Sequence, residues 1–159
     1  MHIAYLLTGG NRGNREDYLG EALTALQKEN VLLAASAIYQ TAAWGKEDQP
    51  DFLNQAIKIR THLTPANLLR QVLDIELRLG RTRDIKYGPR SIDIDILFYD
   101  DWVIEEPSLV VPHPHLQNRR FALQCLADIA PEHVHPRFGK TIRQLLEDCN
   151  DPLQVHKWT

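Results

Sequence analysis

The spacing of apolar and polar positions changes several times along this chain, and each change predicts an element. Residues 3–7 are an almost continuous apolar run, expected as a buried strand, stopped by the turn-forming Gly9-Gly10-Asn11-Arg12-Gly13. A helix should follow. Asn14 suits its N-cap, Glu16 and Asp17 complement the positive end of its first turn, and Leu19, Ala22, Leu23 and Leu26 recur at helical spacing. Two strands are predicted next, at 31–39 and 52–60, with a long polar loop between them of a length usually kept for function. Thr64-Pro65 then opens a second helix with proline at its first position, Leu68, Val72, Ile75 and Leu79 share one face, and Gly80 can close it. A further strand runs to Tyr99.

The order strand, helix, strand, strand, helix, strand predicts an α+β fold: the split βαβ, ferredoxin-like βαββαβ arrangement, an antiparallel sheet with helices packed on one face and the other face open for a ligand. A C-terminal elaboration completes it. Asp100-Asp101 and Trp102-Val103-Ile104 suggest a short hairpin, residues 107–114 a proline-rich connector, 121–127 and 142–147 two helices, and 155–158 a last strand. With no internal repeat or linker, one domain over residues 1–159 is expected.

The strand ending at Tyr99 carries the candidate chemistry. In Tyr87-Gly-Pro-Arg-Ser-Ile-Asp-Ile-Asp-Ile-Leu-Phe-Tyr99, alternation points Ile92, Ile94, Ile96 and Phe98 to one face and Asp93, Asp95, Leu97 and Tyr99 to the other. Two carboxylates that close raise each other's pKa or recruit a cation, and paired oxygen ligands on a rigid element suit Mg²⁺ that completes its shell with water and phosphate. Arg90 offers a planar fork for such phosphates. The plainer alternative is a solvated outer face, although Asp is depleted in strands. In the strand at 52–60, Phe52, Asn54 and Ala56 share one side, and Leu53, Ile57 and Ile59 the other. An aromatic ring beside an amide suits a flat heterocycle that is stacked and then read by hydrogen bonds, with Phe121 a candidate second ring; equally, both rings could simply cover apolar surface.

Composition narrows the classes. The 159 residues are 43% hydrophobic and 25% charged, as in an ordinary globular protein, and the net charge of −3 argues against bulk nucleic-acid binding, although Arg81, Arg83, Lys86 and Arg90 form a local basic cluster. No apolar run approaches the roughly 18 residues of a membrane span, no leader pattern opens the chain, and two cysteines do not make a disulfide framework, so a cytoplasmic protein is expected. Other motifs carry little. Gly139-Lys140-Thr141 lacks the upstream glycine of a phosphate-binding loop, since Val134 stands there. His113-Pro114-His115 has no further ligand at zinc spacing, His133 and His135 read as surface residues, and Cys125 reads as a buried small hydrophobe.

Four segments, Asp48-Gln-Pro-Asp-Phe-Leu-Asn54, Ile75-Glu-Leu-Arg-Leu-Gly-Arg81, Tyr87 to Ile96, and Val111-Pro-His-Pro114 with Arg119 and Phe121, closely resemble the 6-hydroxymethyl-7,8-dihydropterin pyrophosphokinase family, in order and in separation. The resemblance implies transfer of diphosphate from ATP to a reduced pterin in folate biosynthesis, with release of AMP. It implies that Asp93 and Asp95 bind two Mg²⁺ ions, that Phe52 and Phe121 sandwich the pterin, and that Asn54 bonds its pyrimidine edge. Thr41, Ala42 and Trp44 would complete that pocket, and Tyr87 would cover it. Arg81, Arg90, His113 and Arg119 would contact the triphosphate, Arg81 and Arg90 with a catalytic role; Glu76, Arg83, Tyr87 and Ile96 would lie by the nucleotide. The loops 42–50 and 81–89 would close only over both substrates. Gly10, Leu73, Ala42 and Ala43 depart from the family's usual residues without removing a metal or phosphate ligand.

ATP and the pterin are the implied partners of an expected monomer that binds neither nucleic acid nor membrane. Two rivals share the fold: a metal-dependent phosphodiesterase or nucleotidyl transferase, which leaves Phe52, Asn54 and Phe121 without a purpose, and a ligand-sensing module, which leaves the carboxylates and arginines unexplained.

Overall fold

The computed structural model describes residues 1–42, 49–80 and 91–159. Its centre is strand β1 (His2–Gly10), whose residues from Ala4 to Gly10 are all buried. β1 pairs antiparallel with β4 (Phe52–Thr61) on one side and with β5 (Asp93–Tyr99) on the other, while β2 (Asn30–Ala35) and β3 (Tyr39–Thr41) add to the far edge of β4. The resulting order is the antiparallel ferredoxin-like one. Helices α1 (Arg15–Leu26) and α2 (Pro65–Arg78) cover one face. Their starts follow from chemistry visible in the chain: Asn14 accepts the Asp17 N–H at 3.2 Å, and Thr64 accepts that of Asn67 at 3.2 Å with Pro65 behind it. Leu19, Ala22 and Leu26 of α1, with Leu68, Val72 and Ile75 of α2, pack on Leu6, Leu53, Ile57, Ile59, Ile94 and Ile96 of the sheet.

Three expectations about this sheet change. The strand expected at 31–39 is two short ones, because Ser36 interrupts it: its Oγ accepts the Ala56 N–H at 2.9 Å where a strand carbonyl would have stood. Alternation in β5 fails at Leu97. Tyr5 pairs with Phe98 but Leu6 pairs with Ile96, so Leu97 is an inserted bulge residue, and Leu97 and Phe98 both join the core on the second face while Tyr99 turns to the first. That second face is also less open than expected. Helices α3 (Arg120–Ile129) and α4 (Ile142–Asp148) lie on it, setting Ala122, Leu123, Leu126 and Ile142 against Tyr5, Leu7, Ala56, Leu97 and Phe98.

The C-terminal part supplies further corrections. The hairpin is β6 (Ile104–Glu106) with β7 (Leu109–Val111), beyond Trp102 and Val103, so β7 occupies part of the expected connector. The final strand exists: β8 (Val155–Lys157) pairs with β3, and Trp158 donates its indole N–H to Glu16 at 2.6 Å beneath the Arg15 guanidinium. His133 is half-buried and His135 buried, where the sequence suggests surface residues. His135 is 1% exposed, and both rings pack edge-on to Phe98, with His133 also against Tyr5. Cys125 is fully buried and its thiol is pushed up to about 12 by that burial. Among the described residues no helix is long and apolar enough to cross a membrane.

Burial, with Lys58 near His133 and with His133 near His135, lowers both imidazole pKa values, that of His135 to about 4. The folded protein therefore keeps these rings neutral at pH values where the unfolded chain, with His near 6.5, already binds protons. The stability they contribute is complete above about pH 6.5 and is lost as pH falls from there toward 4. Urea titrations across pH 4–7 should show this decline, and a His133→Gln/His135→Gln double variant should show a shallower slope whatever its stability at pH 7. An unchanged slope would place the acid sensitivity elsewhere.

Candidate functional site

Strand register decides which side chains meet on the uncovered end of the second face. Gly9 lies between Asn54 of β4 and Asp93 of β5, Leu7 lies between Ala56 and Asp95, and Thr41 of β3 stands opposite Phe52. Directly paired residues share a face, so Thr41, Phe52, Asn54, Gly9, Leu7, Asp93 and Asp95 all line one surface. At a strand separation of about 4.8 Å, the Asn54 and Asp93 backbones stand about 10 Å apart with Gly9 between them. Gly9 leaves that interval as bare floor. A Cβ there would lie 2.0 Å from the Asn54 Nδ2 and 3.2 Å from the Leu53 carbonyl oxygen.

The opposite wall comes from the segment between β7 and α3. The His113 N–H donates to the Leu97 carbonyl at 3.0 Å, tying this segment to β5 just beyond Asp95. A 3₁₀ turn, Leu116–Asn118, follows, with Leu116 fully buried beneath it. Residues three apart eclipse in such a turn, so His115 and Asn118 reach the same side, with Arg119 and Phe121 next to them. Together with Ala42, these groups enclose a cavity of about 480 Å³, within the usual range for a small-molecule site. The Arg119 guanidinium lies 5.9 Å from the Phe121 ring centre.

Polar groups in and behind the cavity are fixed. Asn54 is 7% exposed and donates its Nδ2 to the Thr8 carbonyl at 3.2 Å, which leaves its Oδ1 as an acceptor. The Thr41 hydroxyl oxygen is buried and finds no hydrogen-bond partner among the described residues, as expected of a group waiting for a ligand. Upstream of Phe52, the Asn11 amide donates to Gln49 at 3.0 Å and to the Pro50 carbonyl at 3.1 Å, Arg15 donates to the Asp51 carbonyl at 2.8 Å, and Gln40 donates to the Asp51 carboxylate at 2.9 Å. These bonds set where β4 begins. His113 is driven down to about 4, first by burial and then by Arg119 and His115, so it is neutral at pH 7; its Nδ1 accepts the His115 N–H at 3.2 Å, placing the proton on Nε2.

Of the candidate residues named from the sequence, Thr41, Ala42, Phe52, Asn54, Asp93, Asp95, Arg119 and Phe121 line one cavity. His113 is not among the residues that line the cavity, its ring centre standing 6.0 Å from that of His115, and Ile96 is buried in the helix-side core. Glu76, 3% exposed, is also away from the cavity wall: its Oε2 accepts the Ile94 N–H at 2.7 Å, between the two aspartates. Trp44, Arg81, Arg83, Tyr87 and Arg90, with Ala43 and most of both loops expected to close, lie outside the described residues. Gly9, Leu7, His115 and Asn118 were not anticipated. Gly9 and Gly10 signal a turn in sequence, yet β1 runs through them, and the signal in His115-Leu-Gln-Asn-Arg119 is a three-residue period.

Two carboxylates one residue apart on a strand, about 7 Å between their Cα atoms, offer hard oxygen ligands on a single face. Among the described residues there is no group of three or more His, Cys, Asp or Glu side chains that could hold a metal alone. The donor set fits Mg²⁺, which takes one or two carboxylates and fills its shell with water and substrate phosphates.

An antiparallel ferredoxin-like sheet with paired aspartates on one side of a glycine floor and an amide and aromatic rings on the other has the donors for a cation-bound phosphate beside a flat heterocycle. Residues 5–131 match the family model of 7,8-dihydro-6-hydroxymethylpterin-pyrophosphokinase (HPPK), and the chain belongs to that family. It is 43% identical over 159 residues to the 2-amino-4-hydroxy-6-hydroxymethyldihydropteridine pyrophosphokinase of Methylorubrum extorquens, covering 99% of each chain. To the Aquifex aeolicus protein of the same name it is 40% identical over 144 residues, covering 91% of this chain and 90% of that one. The crystal structure of wild-type Plasmodium falciparum HPPK-DHPS superposes with a TM-score of 0.73 at 20% identity, a likeness of fold; the match covers 93% of this chain and 43% of that longer one.

Because Glu76 satisfies a buried backbone N–H inside the aspartate strand, Glu76→Ala should lower unfolding free energy by about 1–3 kcal/mol, the cost of leaving such a donor unpaired. Glu76→Gln, whose amide oxygen can still accept, should recover most of that loss in urea titrations. Equal losses in both variants would show that charge, not the hydrogen bond, is what Glu76 contributes.

Proposed function

We propose that this protein transfers the diphosphate of ATP to the hydroxymethyl group of 6-hydroxymethyl-7,8-dihydropterin, releasing AMP, as the names of its relatives describe. The observation that carries this is the row Asn54, Gly9, Asp93 across β4, β1 and β5. A reader of ring edges and a binder of phosphate-linked cations stand on the two sides of a floor that has no side chain. A pterin stacked between Phe52 and Phe121 would present its N–H-bearing pyrimidine edge to the Asn54 Oδ1 and the Thr41 hydroxyl. Its hydroxymethyl group would then project over Gly9 toward the aspartates.

On the phosphate side, Asp93 and Asp95 would hold Mg²⁺, which supplies positive charge to the phosphate oxygens. Arg119 adds a guanidinium, and Arg81, Arg83 and Arg90 are assigned to the same phosphates from the sequence. His113, neutral and protonated on Nε2, is assigned to them from the sequence as a donor that adds no charge. The pterin hydroxyl oxygen bonds to the β-phosphorus as the bond from that phosphorus to the oxygen bridging the α- and β-phosphates breaks; AMP leaves with that oxygen, and the hydroxyl proton is released to solvent. In such transfers catalysis is mostly alignment and stabilisation of charge, which suits a site of fixed carboxylates, arginine and amide. A monomer working as one domain over residues 1–159 is part of the proposal.

ATP labelled at the β-phosphorus should deliver its label to the pterin with AMP formed in equal amount; label kept in ADP would mean a γ-phosphoryl kinase, and label released without pterin a hydrolase. Asp93→Ala and Asp95→Ala should each lower kcat by about a thousandfold or more, roughly 4 kcal/mol of barrier, with unchanged thermal melts. Activity within about tenfold of wild type in either variant would overturn the metal assignment.

The ring residues act on a different quantity. Phe52→Ala and Phe121→Ala should each weaken pterin binding by about 1–3 kcal/mol, the usual worth of a stacking contact, and leave nucleotide binding nearly unchanged in calorimetry. Gly9→Ala should also weaken the pterin by displacing the Asn54 amide. Equal loss of both ligands would point to a disturbed fold instead.

A further inference from the structure

We propose that Trp158 is a positioning residue for the pterin side of the cavity, acting through Arg15 on the backbone that carries Phe52. This rests on the function proposed above and extends it to residues that neither the motifs nor the comparisons single out. Neither Trp158 nor Arg15 lines the cavity, so an effect there must pass through a neighbour. That neighbour is Asp51. Arg15 donates to the Asp51 carbonyl at 2.8 Å, one residue before Phe52, and its guanidinium carbon lies 5.0 Å from the centre of the Trp158 ring. Trp158 is held at two points: its indole N–H donates to Glu16 at 2.6 Å, and its backbone N–H donates to the Ile38 carbonyl at 2.8 Å. Arg15 and Trp158 are both half-buried, so the contact between them is partly shielded from water.

Phe52 needs such a tie because the sheet alone holds it weakly. The ladder between β1 and β4 ends with Gly10 opposite Leu53, so Phe52 stands one residue beyond it, where its strand partner is Thr41 of β3. β3 is only three residues long and lies between β4 and β8, with Val155 opposite Thr41. Gln40 of the same strand donates to the Asp51 carboxylate at 2.9 Å. Strand β8 and the tryptophan that follows it therefore brace both pterin-side groups, Thr41 through strand pairing and Phe52 through Arg15. Asp93 and Asp95 stand on β5, separated from β4 by β1. A ring fixed before its ligand arrives has less order to gain on binding, so the brace acts on pterin affinity and spares the nucleotide.

Calorimetry on the full chain tests this, with α,β-methylene-ATP and Mg²⁺ titrated first and 6-hydroxymethylpterin titrated into the resulting complex. Trp158→Ala should weaken the pterin about fivefold, the scale of one partly shielded cation–π contact, and raise KM for the reduced pterin to match. Its kcat and nucleotide affinity should stay within about twofold of wild type, as expected for sites that share no partner. Trp158→Phe, which keeps a ring face beneath the guanidinium, should recover most of the pterin affinity. Arg15→Ala should show the same selective loss, and adding Trp158→Ala to it should weaken the pterin no further, because the two residues act in series. In the free protein, amide exchange at residues 51–54 should quicken in Trp158→Ala while exchange at 93–99 is unchanged. Additive losses from the two substitutions would overturn the proposal, as would equal loss of both ligands, unchanged pterin affinity in Trp158→Ala, or unchanged exchange at 51–54. A wild-type protein that binds neither probe would defeat the functional reading and this inference with it, whereas failure of the inference alone leaves wild-type binding of both probes intact.

Discussion

Everything at the cavity depends on the pairing of β1 with β4 and β5. Because β1 lies between them in antiparallel register, Gly9 has Asn54 on one flank and Asp93 on the other, and Leu7 has Ala56 and Asp95. A slip of one residue in either ladder would turn its functional set to the helix-covered face. That slip is resisted from the helix side, where Leu6, Leu53, Ile57, Ile94 and Ile96 are buried against α1 and α2. The apolar residues of these strands therefore hold the polar ones in position. The alternation that builds the core is the same alternation that aligns the site.

This explains why so much of the site was legible in sequence. Asp93, Asp95, Phe52 and Asn54 sit in strands whose period-two pattern assigns faces without knowledge of the fold, and Asn14, Thr64 and Pro65 mark helix starts by local chemistry alone. What could not be read depends on partners distant in the chain. The bulge at Leu97 exists only because β1 is the neighbour of β5, and nothing within β5 itself signals that Phe98 and Tyr99 exchange faces. Ser36 divides a strand because Ala56 is opposite it. His133 and His135 look polar and solvated in one dimension, but both rings pack against Phe98, His133 half-buried and His135 fully so, once α4 and the segment before it fold across the sheet. The meeting of His115 with Asn118 at the cavity needed the 3₁₀ turn, since a strand would have sent the two to opposite faces.

The bulge also divides labour along β5. Up to Ile96 the strand keeps strict alternation, which holds both carboxylates on the ligand side and the isoleucines in the helix-side core. Beyond it, Leu97 and Phe98 join the core under α3, and Tyr99 turns back to donate its hydroxyl to the Leu63 carbonyl at 2.6 Å ahead of α2. One inserted residue thus ends the site and begins the second core within a single strand. Were alternation to continue, Phe98 would leave the α3 interface and Tyr99 would replace it.

Glu76 shows how closely stability and chemistry are joined here. A buried side chain that accepts the Ile94 N–H from behind the strand braces the stretch that carries Asp93 and Asp95. The backbone between the two aspartates is thus fixed by a residue that does not line the cavity. A residue without an acceptor at position 76 would leave both aspartates in the sequence but loosen the strand on which they are mounted.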